Sequence, residues 1–414
     1  MKAAFRSLME RFWARPLLFA VGATGLALAL TTLDESLDTS LNAPFLFAGG
    51  PEGARSLLSA IITSMISFTG LVFSITIVVL QLTSSQFSPR ILSSFLKDRF
   101  NQVALGVFVA TFVYALVVIR GVRGTAQVDP FVPQISVTVA FFLVLVSVLV
   151  FLAYIHHIAQ SIRAAAIMAA IAADTRGLME KRLPADATPE PTLTLPAGPS
   201  RTIATNRPGV VKWIDDAALA RVAEREDVTV ELLRSVGEFV PAGVPLARIH
   251  GAGTFDDDKL HSAVHVGRER SLDQDVGFGL RQLVDIAERA LSPGTNDPTT
   301  AVQAVDQLHD LLRRLATRVL VPRQRTTKDG RLAVSVPQPS FADYLALALD
   351  EIAHWGKDSP RLQRRLHVVL LDLETAARPE HRPAVQAAIA RYGLTPSLGL
   401  DALSPTDVGL RPAD

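Results

Sequence analysis

From Ser56 to Pro89 the chain carries no charged side chain, and Arg55 and Arg90 bracket the run. Such a segment is hard to accommodate in water. As an α-helix rising ~1.5 Å per residue it would reach roughly 50 Å, well beyond a hydrocarbon core of ~30 Å. The run is also studded with polar groups: Thr63, Ser64, Ser67, Thr69, Ser74, Thr76, Gln81, Thr83, Ser84 and Ser85. A plain anchor has no need of them. The segment predicts a membrane span that is itself a candidate for the working part of the molecule.

Three further stretches are long, apolar and uncharged: Pro16–Leu33, Phe100–Ile119 and roughly 131–162. Hydrocarbon offers backbone groups no partner, so each span must be helical. The first follows basic residues, as a signal peptide would, but it is long for one, and it is expected to stay as an anchor. Lys2, Arg6, Arg11 and Arg15 precede the first span, and Arg90, Lys97 and Arg99 lie between the second and third. The opposite side carries Asp34, Glu35, Asp38, Glu52 and Asp129, with Arg55, Arg120 and Arg123 dissenting. The excess of basic residues predicts a multi-pass protein with N- and C-termini in the cytoplasm.

The 414 residues leave room for soluble domains as well. With 41 Lys+Arg against 40 Asp+Glu, net charge gives no case for nucleic-acid binding. The absence of cysteine excludes disulfides, thiol catalysis and Cys-ligated zinc. The fourth span is expected to continue as one helix through His156, His157, Arg163 and Arg176 to about Arg182. Pro184, Pro189, Pro191, Pro196 and Pro199 then read as a semi-rigid linker. Strand-like alternation follows in Gly209–Ile214, Val228–Leu233 and Val244–Ile249, with a short helix at Ala217–Glu226 and turns at Gly237 and Gly243. Beyond residue 256 the pattern is helical: Asp273–Leu291, Pro298–Val319, Phe341–Trp355, Arg361–Ala377 and Pro383–Tyr392. A hairpin turn at Lys328-Asp329-Gly330 interrupts it.

The expected fold is therefore a mainly α membrane protein: four transmembrane helices, then a cytosolic α+β region of a small β barrel-sandwich-like module and a helical domain. The expected divisions are 1–165 (transmembrane), 166–201 (helical extension and linker), 202–255 (β module with inserted helix), 256–400 (helical domain) and 401–414 (tail).

Several constellations admit both a structural and a functional reading. On the second span Ser67, Ser74, Gln81 and Ser88 share one drifting stripe with Thr63 and Gly70, while Thr69, Thr76 and Thr83 share another nearly opposite. Hydroxyls and small residues are common where membrane helices pack. They can equally line a water-filled path in an oligomer. No span holds Asp, Glu, Lys or Arg, which argues against an ion-coupled pump. His156 and His157, near the cytoplasmic boundary, read as an interfacial pair or as a pH gate. In the soluble part, Arg268, Arg270, Asp273 and Asp275 precede one helix, and Ser292-Pro293-Gly294-Thr295-Asn296-Asp297-Pro298 joins it to the next. Asn296 or Asp297 caps the second helix and Pro298 fits its first turn. Brought together, the turn and the arginines would suit a small anionic ligand. His261 and His265 are four apart, as on one helix face, but no second ligand cluster accompanies them, so no metal is expected. No cofactor motif and no catalytic constellation appears, so no enzyme is expected.

These segments, with Ser85-Gln86-Phe87-Ser88-Pro89-Arg90 and Gly106-Val107-Phe108-Val109, resemble the bacterial predicted-membrane-protein family called domain of unknown function 2254. The likeness covers nearly the whole chain and is most specific at Gln274–Ala290 and Ala290–Ala301. Thr295 and Thr299 depart from it, where bulkier apolar residues are expected. It implies placement in a bacterial inner membrane and carries no catalytic residue. Val236–Leu246 separately resembles half of a biotinyl/lipoyl-like module, but Lys212, its one lysine, lies in a strand, so cofactor carriage is not expected. The functional expectation is a homo-oligomeric channel or permeation pathway in the lipid bilayer, regulated by its cytosolic domain. The alternative is a membrane-anchored sensor or scaffold that binds a small anion or a partner protein.

Overall fold

The computed structural model describes residues 13–37, 46–86, 98–125, 128–161, 163–185 and 192–392. The chain divides into two compact units, Met1–Arg163 and Ala164–Asp414.

The first unit contains four helices long and apolar enough to cross a membrane: α1 (Ala14–Ser36), α2 (Pro51–Gln86), α3 (Arg99–Gly121) and α4 (Gln134–Ser161). A short antiparallel pair, β1 (Arg123–Thr125) and β2 (Val128–Phe131), joins α3 to α4. Helix α3 is the hub: 50% of its span is buried, against 22% for α2 and for α4 and 17% for α1. The outward side chains are large and apolar, among them Leu17, Ile77, Leu149 and Leu152, as a lipid-facing surface requires. Inside, two pairs of hydroxyls meet. Thr76 and Tyr154 share a hydrogen bond of 2.8 Å, and Thr111 and Ser147 one of 3.0 Å. Charges sit at the helix ends. Asp34 accepts from the Ile135 and Ser136 N–H groups at 3.0 Å each, and so caps α4.

The helix expected to run unbroken to Arg182 is two helices. The Arg163 N–H turns back to the Gln160 carbonyl at 3.3 Å, a tighter three-residue closure, and Ser161 Oγ donates to the His157 carbonyl at 2.8 Å. Helix α5 (Ala164–Arg182) then begins the second unit. It is not an extension into a linker, because Met168, Ile171, Thr175, Leu178 and Met179 are buried against the helical part of that unit. The proline-rich stretch is likewise anchored at its end: Leu193 exchanges two hydrogen bonds with the Gln324 carboxamide, at 2.8 and 2.9 Å.

The second unit contains β3 (Ser200–Ala204), β4 (Gly209–Ile214), α6 (Asp216–Arg225), β5 (Thr229–Leu232), β6 (Phe239–Val240), β7 (Pro245–His250), α7 (Asp257–Ala263) and β8 (Val264–Gly267). There follow α8 (Val276–Leu291), α9 (Pro298–Ala316), β9 (Arg323–Thr326), β10 (Leu332–Val336), α10 (Phe341–Trp355), α11 (Pro360–Ala376) and α12 (Arg382–Tyr392). One sheet has the order β3-β7-β5-β10-β9 and the other β6-β4-β8. All neighbours are antiparallel except β5 and β10. The boundary expected at residue 255 is therefore not where the chain divides. Strands from 264–267 and 323–336 complete both sheets, and Val334 and Val336 join Val211, Val230, Leu246 and Ile249 in one apolar core. The hairpin expected at Lys328–Gly330 is present, with Gly330 at φ +79°. Helix α8 is buried on nearly all sides and contacts α5, α9 and α10.

Candidate functional site: an arginine-lined pocket

The second unit holds a cavity of about 300 Å³ where the N-terminus of α8 meets the C-terminus of α5, the strand ends at Arg323 and Val336, and the start of α10. Each wall has a local cause. Asp275 is the N-cap of α8, accepting from Phe278 N–H at 3.0 Å. Arg270 grips the same carboxylate twice, Nε to Oδ2 at 2.8 Å and a terminal nitrogen to Oδ1 at 3.1 Å, with its guanidinium 5.5 Å from the Phe278 ring centre. The Ser235–Glu238 turn lies against this pair. Gly237 has φ +91°, and a Cβ there would overlap the Asp275 carboxylate. Gln274 pins β4 to the site through two bonds with the Ile214 backbone, at 3.2 and 3.1 Å. Arg182 is held from behind. The buried Arg318 donates to the Leu183 carbonyl and to Glu180, which fixes the end of α5.

The pocket is electrostatically lopsided. Arg182, Arg270 and Arg323 line it, with Asp275 and Asp343 as the acidic groups. Arg323 Nε lies 3.0 Å from Asp216 Oδ2, close enough for attraction but off-axis for a hydrogen bond. Arg325 donates to the same oxygen at 3.1 Å. Arg182 makes no hydrogen bond or ion pair among the described residues. Burial first, and then repulsion from Arg323, pushes its guanidinium down to about 10, with Asp216 opposing. Burial likewise lowers Arg323. The Tyr344 phenol is pushed well above its ordinary range, by burial first and then by the Asp275 charge, so it stays a neutral hydroxyl. It accepts from Gln338 Nε2 at 2.8 Å and keeps its own proton to donate.

The structure separates the ligand residues expected to act together. Asp275 caps the start of α8 and Ser292 its end, some ~24 Å apart for a helix of 16 residues. Arg270 and Asp275 line the pocket. Arg268 and Asp273 are exposed and lie outside it, and Asp273 accepts from Ser271 Oγ at 2.7 Å. At the other end Asp297 caps α9, accepting from Thr299 and Thr300 N–H at 3.0 and 3.1 Å. The Thr300 hydroxyl and those amides hold its carboxyl below the usual range. Asn296, at φ +45°, borders a separate hollow beside Trp355 and Lys357. The histidines expected on one helix face also part company: His261 lies on α7 and His265 on β8, against Trp213.

Sequence reading missed Arg182, Arg323 and Tyr344. Their local patterns are ordinary, a helix end, a strand and an amphipathic helix, and only the fold collects them.

In the first unit the two stripes of α2 face differently. Ser67, Ser74 and Gln81 are exposed on the outside of the unit, and a Cβ at Gly70 would meet open space. Thr69 is half-buried and Thr76 is buried against α4. Ser88 lies outside the described residues. His157 has a partner that sequence reading did not supply: its Nε2 lies 2.6 Å from Asp98 Oδ2, and Asp98 caps α3.

Four helices apolar and long enough to span a membrane, followed by an α+β unit, define the class: a membrane protein with several candidate spans. The chain belongs to the family described as predicted membrane protein (DUF2254), whose pattern matches residues 9–372. Uncharacterized proteins of Mycobacterium bovis and Mycobacterium tuberculosis are each 34% identical to it over 400 residues, 94% of this chain and 77% of theirs. No solved structure matches it.

Proposed function

We propose that this is an inner-membrane protein with both termini in the cytoplasm, and that its second unit is a sensor for a small anionic ligand bound in the arginine-lined pocket. The orientation rests on the basic residues of the N-terminus and of the loop after α2. One observation carries the ligand reading: among the described residues, Arg182 lines a cavity without a hydrogen bond or ion pair, beside a second guanidinium that repels it and with Asp216 only partly offsetting that repulsion. Desolvating a cation without compensation is unfavourable, and an anion in the cavity relieves it. Helix α5, which carries Arg182 at its C-terminal end, starts within three residues of the end of the last span, so the pocket is built on the element that follows the spans in the chain. The test is a thermal-shift screen of the full chain in lipid nanodiscs against small anions, with Arg182→Gln alongside. A response that depends on Arg182 supports the sensor. An unresponsive wild type rules it out.

A second reading follows from α2. Gln81 is exposed at the end of a span and makes no hydrogen bond among the described residues. A bare carboxamide facing lipid is unfavourable, so a second copy or a water-filled path covers the Ser67/Ser74/Gln81 face. In this reading the chain is a homo-oligomeric permeation pathway that the ligand regulates. Current across a bilayer holding the pure protein tests it. A conductance indifferent to Ser74→Leu and Gln81→Leu would remove this stripe from the path.

A further inference from the structure

The charge count within the cavity narrows its ligand, on the reading that the cavity binds one. Two of the three guanidiniums already face a carboxylate: Arg270 both oxygens of Asp275, and Arg323, at 3.0 Å, the Asp216 oxygen that it shares with Arg325. The Asp343 carboxylate is turned to Ser340, whose N–H and Oγ donate to it at 2.8 and 2.7 Å. Among the described residues, that leaves Arg182 as the lining guanidinium with no hydrogen bond or ion pair. Leu183, Val236, Val276 and Leu347 supply apolar lining. The volume, about 300 Å³, sits at the small end of organic-ligand sites.

We infer that the pocket takes an organic monoanion with an apolar body, of the carboxylic-acid class, its carboxylate on Arg182 and its body against Val236 and Leu347. A polyphosphate would need several unpaired cations, and among the described residues the cavity offers one guanidinium without a hydrogen bond or ion pair. Inorganic phosphate would leave the apolar wall unfilled.

Calorimetric titration of the full chain in nanodiscs, with empty nanodiscs as the blank, tests the ligand class. The probes are butyrate, hexanoate, hexanamide, inorganic phosphate and ATP. Affinity is expected to rise about fourfold per buried CH₂ from butyrate to hexanoate. Hexanamide, neutral and nearly isosteric, is expected to bind about tenfold or more weakly, and Arg182→Gln to weaken hexanoate by a similar factor. Leu347→Phe keeps every charge and narrows the apolar side, so it is expected to weaken hexanoate more than butyrate. Equal binding of hexanoate and hexanamide would overturn the inference. So would tighter, Arg182-dependent binding of ATP or phosphate, which would leave an anion site standing with the ligand class wrong. Silence from every anion would remove the pocket reading itself.

Discussion

Arg270 and Asp275 meet through two hydrogen bonds, at 2.8 and 3.1 Å, and Gly237 lies against them at φ +91° with no room for a Cβ. Helix start, strand turn and pocket wall are thus one feature. Gly237→Ala is expected to destabilise the protein by about 2 kcal/mol, from backbone strain and displacement of the Asp275 carboxylate. Chemical denaturation measures it, and an unchanged midpoint would mean the turn is not seated on the pair.

Arg182→Gln is expected to do the opposite. Its guanidinium is pushed down to about 10 in the folded protein, below its ordinary value. A base lowered on folding carries a penalty wherever it is protonated, and stability returns only as pH rises through the folded value. At neutral pH the penalty is fully present, so a neutral side chain removes it. Because the group is only half-buried, screening reduces the gain to about 1 kcal/mol. The expectation is a higher melting temperature with anion binding weakened; a lower one would show that Arg182 has a structural partner.

Glu288 supplies a pH dependence. Burial first, reinforced by Glu351 and opposed by Arg281, raises its carboxyl above the usual range. A carboxyl raised on folding holds its proton more tightly in the native state, so its contribution is greatest below the unfolded value and is lost as pH rises through the folded one. Glu288→Gln is expected to be the more stable protein at about pH 7, with the difference closing toward about pH 4. Melting curves across that range decide it, and a pH-independent difference would contradict it.

Gly279 lets α8 approach α5. A Cβ there would overlap the buried Thr175 hydroxyl. Gly279→Ala is expected to cost about 1–3 kcal/mol despite the better helix propensity of alanine. Gly279→Ala combined with Thr175→Ala is expected to recover part of the loss, and strict additivity of the two in denaturation would argue against the contact.

On α2, Thr76→Val removes the bond to Tyr154 and is expected to lower stability in detergent by about 0.6 kcal/mol, up to about 1.7. Ser74→Ala, on the outer face, is expected to leave the stability of the single chain unchanged. Matched losses at both positions would show that the two faces are not distinct.

Elements with a strong local signature were legible in the sequence. The four spans, α8 and α9, and the turn at Gly330 follow from uncharged length, helical spacing and glycine. Helix α5 was misread because its alanine-rich composition masks a buried face of Met168, Ile171, Thr175 and Leu178, recognisable only once a partner helix is known. The sheets were underestimated because β5 pairs with β10, about a hundred residues away, and no local pattern records such a pairing. Of the expected ligand residues, Arg270 and Asp275 line the pocket, and Asn296 and Asp297 belong to the turn beyond the far end of α8, where Asp297 caps α9.

By itself, then, the sequence determined that this chain has membrane-spanning helices and where they fall, because the transfer of uncharged helices into hydrocarbon depends on composition and length alone. The run from Ser56 is one of them. Only tertiary structure decided which face of α2 turns inward, since two polar stripes on one helix are equivalent until neighbours cover one of them. The same holds for the pocket. Arg182, Arg270 and Arg323 are unremarkable surface-type residues along the chain, and the repulsion that gives Arg182 its character arises from packing that brings residues 182 and 323 into one cavity.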